Sequence, residues 1–458
     1  MRPSASIFLA AALAAPVFAA DAPPPLAVDP EIRDIVANIS ADRIQRSIYV
    51  LASFKTRHTL SDTLPSGDGI GGATSWIRAE FERASKESGG RLKVELDTFD
   101  QPPAPPRVPT AAQITNIVAT LPGTDPDPEG RVLVVSGHYD SRVTNPLDTT
   151  SAAPGADDDA SGASAVIEMA HVMSHYRFPA TIVFMTVAGE EQGLNGSTHW
   201  AKEAKARGAN IEAMLDNDII GSSRSEKGVI ERGMVRLFAQ GVPPTATPDD
   251  AQLALLRAGG ENDTPPRELA RAIRDVAMAY VPAFKVRVIY RADRYLRGGD
   301  HLPFLERGYP AVRFTEPAED FARQHQDVRV EKGITYGDTP DHVDFAYTAD
   351  VARVNAASLA ALARAPAPPR EVQIETARLE NDTTLRWAPN PEADLAGYRI
   401  VWRETTSPFW EHAQDVAKDV TRITVPGVSK DNVIFGVEAF DTSGHVSPSV
   451  FPSARRTL

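Results

Sequence analysis

Arg131-Val132-Leu133-Val134-Val135-Ser136 runs directly into Gly137-His138-Tyr139-Asp140-Ser141. The first part is a short apolar run of the length of a buried strand. His138 then stands at the strand's carboxyl end, which is where open α/β sheets place their sites. The pattern repeats downstream. Thr181-Ile182-Val183-Phe184-Met185-Thr186-Val187 is a second buried run, and it leads into Ala188-Gly189-Glu190-Glu191-Gln192-Gly193. Ala213-Met214-Leu215 leads into a third, ending near Ile220, with Asp218 embedded in it. Between them, Ser161 to His175 and Ser197 to Arg207 carry helical patterns. Strand–helix–strand alternation predicts an α/β domain with a mostly parallel sheet flanked by helices.

Outward from this centre, helices are expected from Ser40, with Ser40 as cap, and over Ala73 to Glu87. A loop is expected over 102–110. A further helix should run from Pro265 to about Tyr280, capped by Thr264. Strand-like runs cover Lys285 to Tyr290 and Ala311 to Phe314, and a last helix spans about Asp350 to Ala363. Residues 222–265 read as less regular. Ala365-Pro366-Ala367-Pro368-Pro369 reads as a linker, placed at 365–370. The texture beyond it is all-β, with short strands near 372–376, 384–387, 398–402, 421–425 and 433–440. That spacing predicts a small β-sandwich over 371–458. Trp387, Tyr398 and the Val437–Asp441 run make it resemble a fibronectin type III module.

The 458 residues suffice for two or three domains, and 42% hydrophobic with 24% charged residues is a globular composition. A formal net charge of -13 argues against nucleic acid or anionic lipid as the main partner. The absence of cysteine removes disulfides, thiolate ligands and cysteine nucleophiles together. Any metal must be held by His, Asp and Glu. Arg2 followed by the apolar Ile7–Phe18 and Val17-Phe18-Ala19 reads as a secretory signal peptide over 1–19, cut after Ala19. The expected location is the periplasm or the medium. No later apolar run approaches the length of a membrane span, so no membrane insertion is expected.

Four short segments carry candidate chemistry. Asp140, two residues after His138, can orient its imidazole. Asp157-Asp158-Asp159 crowd three carboxylates, a cost that a bound cation removes, although Asp159 can also cap the following helix. The adjacent Glu190 and Glu191 can divide roles, one holding metal and the other acting as general base. Asp218 in a buried run needs a partner, either a salt bridge or a metal.

Together with Gly299-Asp300-His301-Leu302-Pro303-Phe304, and in this order over about 115–360, these segments resemble the secreted zinc aminopeptidases with two co-catalytic metals. That family is related to glutamate carboxypeptidase and the glutaminyl cyclases. The resemblance places the zinc peptidase domain at 20–364 and implies two Zn2+ per chain. His138 and Asp218 are then expected on one ion and Glu191 with a late His on the other. Asp158 bridges them and Glu190 is the general base. Asp140 holds His138, and Asp300 supports the site from behind. Where the family has a His-Thr-Pro-like segment, this chain has Asp338-Thr339-Pro340. The late His is therefore His325, the preferred candidate, or His342. Tyr295 is a candidate to assist the oxyanion, and His301 reads as structural.

The implied activity is removal of N-terminal residues from peptides with a free amine, by a zinc-activated water that Glu190 deprotonates. Competing readings are a single-zinc glutaminyl cyclase, a carboxypeptidase, and a non-catalytic peptide-binding protein. A carboxypeptidase needs a basic pocket, for which Arg291, Arg294 and Arg297 are the candidates.

Overall fold

The computed structural model describes residues 21–125, 130–243 and 248–455. The signal-peptide expectation at 1–19 lies outside them. The centre is an eight-stranded sheet built from β1 (Lys93–Gln101), β2 (Ala112–Leu121), β3 (Val132–His138), β4 (Thr181–Val187), β5 (Ile211–Asn217), β6 (Met234–Ala239), β7 (Lys285–Ile289) and β8 (Ala311–Thr315). The spatial order is β1-β2-β4-β3-β5-β8-β6-β7. Strands β4, β3, β5 and β8 are mutually parallel. The sheet turns antiparallel at β2/β4 and β1/β2 on one side and at β6/β8 on the other.

Nine helices are described: α1 (Pro30–Asn38), α2 (Ala41–Ser53), α3 (Ile70–Glu87), α4 (Ala160–Met173), α5 (Asn195–Ala206), α6 (Asp250–Arg257), α7 (Pro265–Tyr280), α8 (Leu302–Leu305) and α9 (Phe345–Arg364). The apolar central strands explain why helices cover both faces. Leu133, Val135, Ile182, Phe184, Leu215 and Phe314 enter a large core shared with α1–α4, α7 and α9. Their neighbours Val134, Val183, Met185, Met214 and Ala311 point the other way, against Trp200 and Ala201 of α5 and Phe304 of α8. The two-residue period of each strand thus divides one continuous apolar run between two cores.

Several expectations needed correction. Strands β1, β2 and β6 and helices α1 and α6 were not foreseen. Helix α3 starts at Ile70 and α9 at Phe345. Strand β5 ends at Asn217, so Asp218 stands just outside it. Thr264 stands at the N-cap of α7 as expected, but its hydroxyl donates to the carbonyl of Gln240 at 2.8 Å instead of capping the helix. The caps at Ser40 and Asp159 are present.

The C-terminal strands β11 (Arg370–Glu375), β12 (Thr383–Ala388), β13 (Leu395–Glu404), β14 (His412–Ala417), β15 (Arg422–Val425), β16 (Val433–Asp441) and β17 (Ser453–Arg455) follow a small β9/β10 hairpin (Arg329–Glu331, Ile334–Tyr336). They form a four-stranded sheet, β15-β12-β11-β17, and a three-stranded one, β14-β13-β16. Leu385, Trp387, Tyr398, Ile400, Phe435 and Val437 fill one core between them. No helix among the described residues is long and apolar enough to cross a membrane.

Candidate metal centre

Parallel strands deliver their carboxyl ends to one edge, and four expected side chains come from there. His138 is the last residue of β3 and Asp218 directly follows β5. Glu190 and Glu191 lie in the turn after β4, and Asp158 precedes α4. His325 comes from the segment after β8, with φ +55°. That left-handed backbone is uncommon for a residue other than glycine and is held here by surrounding contacts.

These residues make two groups of potential ligand atoms. One is His138, Asp158 and Asp218; the other is Asp158, Glu191 and His325; within each the atoms lie within 4.8 Å of one another. Asp158 belongs to both. Its Oδ1 is 3.1 Å from His138 Nε2 and its Oδ2 is 2.8 Å from His325 Nε2.

The donor chemistry fits a cation. His138 Nδ1 faces the carbonyl oxygen of Asp140 at 3.1 Å and its Oδ1 at 3.4 Å, both acceptors. Nδ1 therefore carries a hydrogen, which leaves the Nε2 lone pair directed at Asp158 and Asp218. A ring nitrogen facing two carboxylates needs positive charge there, which a proton or a bound cation supplies. His138 Nε2 and Glu191 Oε1 are buried and have no hydrogen-bond partner.

The His325 half is arranged differently. Arg142 donates to His325 Nδ1 at 2.6 Å and to Glu191 Oε2 at 2.7 Å. Guanidinium is only a donor, so Nδ1 accepts and Nε2 carries the hydrogen. A cation at this Nε2 requires Arg142 to give up Nδ1.

Electrostatics bind the cluster. Burial raises the Asp158 carboxyl, but His325 and His138 outweigh it and hold it well below the usual range. Burial also opposes ionisation of Asp218, but Arg313 and His138 bring it to about 2. Arg313 is fully buried; its Nη2 forms an ion pair with Asp218 Oδ2 at 2.8 Å and its Nη1 donates to Asp293 at 2.5 Å. Burial, with Asp218, Glu191 and Asp300 nearby, keeps the half-buried Glu190 well above the ordinary glutamate value.

Outside the two groups, Asp140 Oδ2 accepts from the Thr59 hydroxyl at 2.7 Å and the Glu191 N–H at 3.2 Å. Asp300 is buried and accepts from Ser197 at 2.5 Å. His301 bridges Asp216 and the carbonyl of Ala292 and stays clear of the cluster. Tyr295 is not part of the cavity wall. It is 83% exposed, and its ring lies 3.6 Å from the guanidinium of Arg291, which holds it outward.

His342 joins neither group; its Nε2 lies 3.3 Å from Asp338. Asp338 itself has a clear structural task. Its carboxylate accepts the backbone N–H groups of Asp157, at 2.8 Å, and Asp158, at 2.7 Å. The Asp-Thr-Pro segment thus cradles the Asp157–Asp158 backbone.

Sequence reasoning missed Arg57, Arg142 and Arg313. Buried Arg57 donates to the carbonyls of Tyr139, Leu51, Pro154 and Gly155, pinning the loop ahead of Asp157. The signal that could have found Arg313 was its place inside the apolar Ala311–Phe314 run.

The cluster opens into a cavity of about 320 Å³, lined by Asp158, Glu190, Glu191, Asp218 and His325 together with several arginines. A larger cavity of about 510 Å³ lies far from this chemistry, between α7, residues 22–28 and the C-terminal sheets. Donor geometry, not size, identifies the smaller one as the site.

The sequence model described as peptidase family M28 matches residues 116–359, just over half of the chain. A probable zinc metalloprotease of Pyrenophora teres f. teres is 46% identical over 425 residues, 93% of this chain and 87% of its own length. One of Leptosphaeria maculans is 47% identical over 426 residues, covering 93% and 97%. Among solved structures, the LapA aminopeptidase of Legionella pneumophila shares the fold at TM-score 0.50 and 20% identity, over 72% of this chain and 74% of that one. LapB of the same organism does so at 0.51 and 18%, over 73% and 75%.

Proposed function

The chain belongs to peptidase family M28, and from that membership we propose that it is a zinc aminopeptidase with two ions per chain. The observation that carries the reading is Asp158, whose two oxygens each face a different histidine. His138 and Asp218 would hold one ion, Glu191 and His325 the other, and Asp158 both. Oxygen and imidazole donors without thiolate suit zinc. When bound, the ions supply Lewis acidity to the scissile carbonyl and acidity to the attacking water.

Glu190 is the base. Of the four carboxylates lining the cavity it alone belongs to neither ligand group. It takes a proton from water and gives it to the leaving amine. A carboxylate whose pKa is raised by burial is suited to both transfers. Asp140 orients His138 through Nδ1, and Arg313 fixes Asp218 in its ionised form. The free N-terminal amine of a peptide is the expected recognition feature.

The test uses a leucyl peptide with a free amine and its acetylated twin, each incubated with zinc-loaded protein and followed by mass. Loss of one N-terminal residue from the first alone is the expected result. Cleavage of neither overturns the reading.

Residues 1–19 are proposed to direct export and to be removed, which the N-terminal sequence of the mature protein tests. Residues 371–458 are proposed to be a fibronectin type III-like accessory module without catalytic residues.

A further inference from the structure

The cavity wall carries more positive charge than the metal chemistry uses. Arg107, Arg142, Arg294, Arg297 and Arg313 all line it. Three have carboxylate partners. Arg142 pairs with Glu191, Arg313 with Asp218 and Asp293, and Arg294 with Asp293 and Glu319. Arg107 and Arg297 have none among the described residues. The Arg107 side chain makes one hydrogen bond, to the carbonyl of Glu191 at 2.8 Å. The Arg297 side chain makes no hydrogen bond or ion pair among the described residues.

The fold has thus sorted the basic stretch at 291–297. Arg291 is turned away onto Tyr295 and Arg294 is neutralised, which leaves Arg297 facing the cavity. An unpaired arginine on an open surface is ordinary. Here Arg107 is part-buried and Arg297 exposed, yet both line the cavity that holds the candidate metal ligands, and their charge acts on the space a substrate must occupy. Arg142 and Arg313 hold Glu191 Oε2 and Asp218 Oδ2, while the other oxygens, Oε1 and Oδ1, face the histidines, so those two arginines stay committed to the candidate ligands.

We infer that the cavity takes a substrate bearing a carboxylate close to the scissile bond, held by Arg107 and Arg297. This rests on the peptidase reading and names its substrate class. Guanidinium forks match carboxylates in a bidentate geometry that an amide cannot reproduce. The carboxylate has two possible sources. One is the side chain of an acidic N-terminal residue. The other is the terminal carboxylate of a short peptide.

Two pairs of peptides separate them: Glu-Gly-amide against Gln-Gly-amide, and Leu-Gly against Leu-Gly-amide. Each is assayed for kcat/KM with the zinc-loaded enzyme and with Arg297→Gln, Arg107→Gln and Arg297→Lys. The expected result is a preference of about tenfold or more for the carboxylate member of at least one pair. That ratio should collapse in the glutamine variants and partly survive in Arg297→Lys, which keeps the charge and loses the fork. The preferred pair identifies the source. Equal rates within both pairs, or a preference that survives both glutamine substitutions, overturns the inference. If none of the four peptides is cleaved, the peptidase reading fails instead. Calorimetric binding of the same peptides then decides the inference, and equal affinity of the twins overturns it.

Discussion

Glu190→Gln keeps the shape of the side chain and removes its basicity. Glu190 lines the cavity but lies outside both ligand groups. Turnover should fall by about 10²–10⁴-fold, while zinc content, read by elemental analysis, stays at the wild-type level. A joint loss of zinc would make Glu190 a ligand. The two histidines support a second expectation. His138 already presents its Nε2 lone pair, whereas His325 is engaged by Arg142 at Nδ1. Metal titration of the chelated protein should resolve a tight and a weaker event. Arg142→Gln should strengthen the weaker one, since it removes both a competing donor and a repelling charge. Identical affinities in wild type would contradict this asymmetry. His138, Glu191 and Asp218 were legible as residues because each follows or sits in an apolar run, and Asp158 because three carboxylates crowd together there. Arg142 and Arg313 were not, because an arginine's partner is set by what the fold brings beside it.

The elements meet the site through a few close backbone approaches. A Cβ built on Gly162, in the first turn of α4, would stand 2.1 Å from the carbonyl oxygen of Asn217 at the end of β5. One on Gly137 would stand 2.5 Å from the Gly162 carbonyl carbon. Asp159 joins the same three elements. Its carboxylate accepts from Gly162 N at 2.9 Å, His138 N at 3.0 Å and Ile219 N at 3.3 Å. Gly162→Ala should therefore destabilise the fold by about 1–3 kcal/mol, the usual range for overpacking, measured by denaturant unfolding. It should also weaken zinc binding, because α4 cannot retreat without carrying Asp158. An unchanged metal affinity would separate α4 from the site. The central strands were readable because burial on both faces writes them as unbroken apolar runs. Strand β1 was not, since an edge strand with one solvent face mixes Lys93, Glu95, Asp97 and Asp100 into the pattern. Helix α1 was hidden by Pro30, which reads as loop although the first helical turn tolerates it.

At the scale of the molecule, charged side chains join the C-terminal sheets to the peptidase part. Buried Arg403 of β13 grips Asp263 at 2.6 and 2.8 Å, and Arg271 of α7 approaches the same carboxylate at 3.3 Å. Asp263→Ala leaves buried Arg403 without its carboxylate, while Arg271 keeps Glu268, and should cost about 3–5 kcal/mol, seen as a lowered Tm. His445 supplies a pH-dependent link. Its Nδ1 lies 2.7 Å from Asp441 and its Nε2 3.0 Å from Asp29, which also pairs with Arg364. Burial lowers its pKa, but Asp441 and Asp29 outweigh that and raise it above the usual imidazole value. A raised folded pKa gives stability that is fully present below about pH 6.5 and fades as pH rises through the folded value. The Tm gap between wild type and His445→Gln should accordingly be widest in mild acid and narrow above neutrality. A gap that widens with pH would reverse the assignment. The sequence by itself determined the α/β class and the strand ends that carry His138, Glu190, Glu191 and Asp218. It could do so because strand burial and strand-end position are local properties of the chain. Only the tertiary structure brought His325 rather than His342 beside Asp158 and Glu191, turned Asp338 into a cradle and left Arg297 without a partner among the described residues, because each depends on segments distant in sequence meeting at one edge of the sheet.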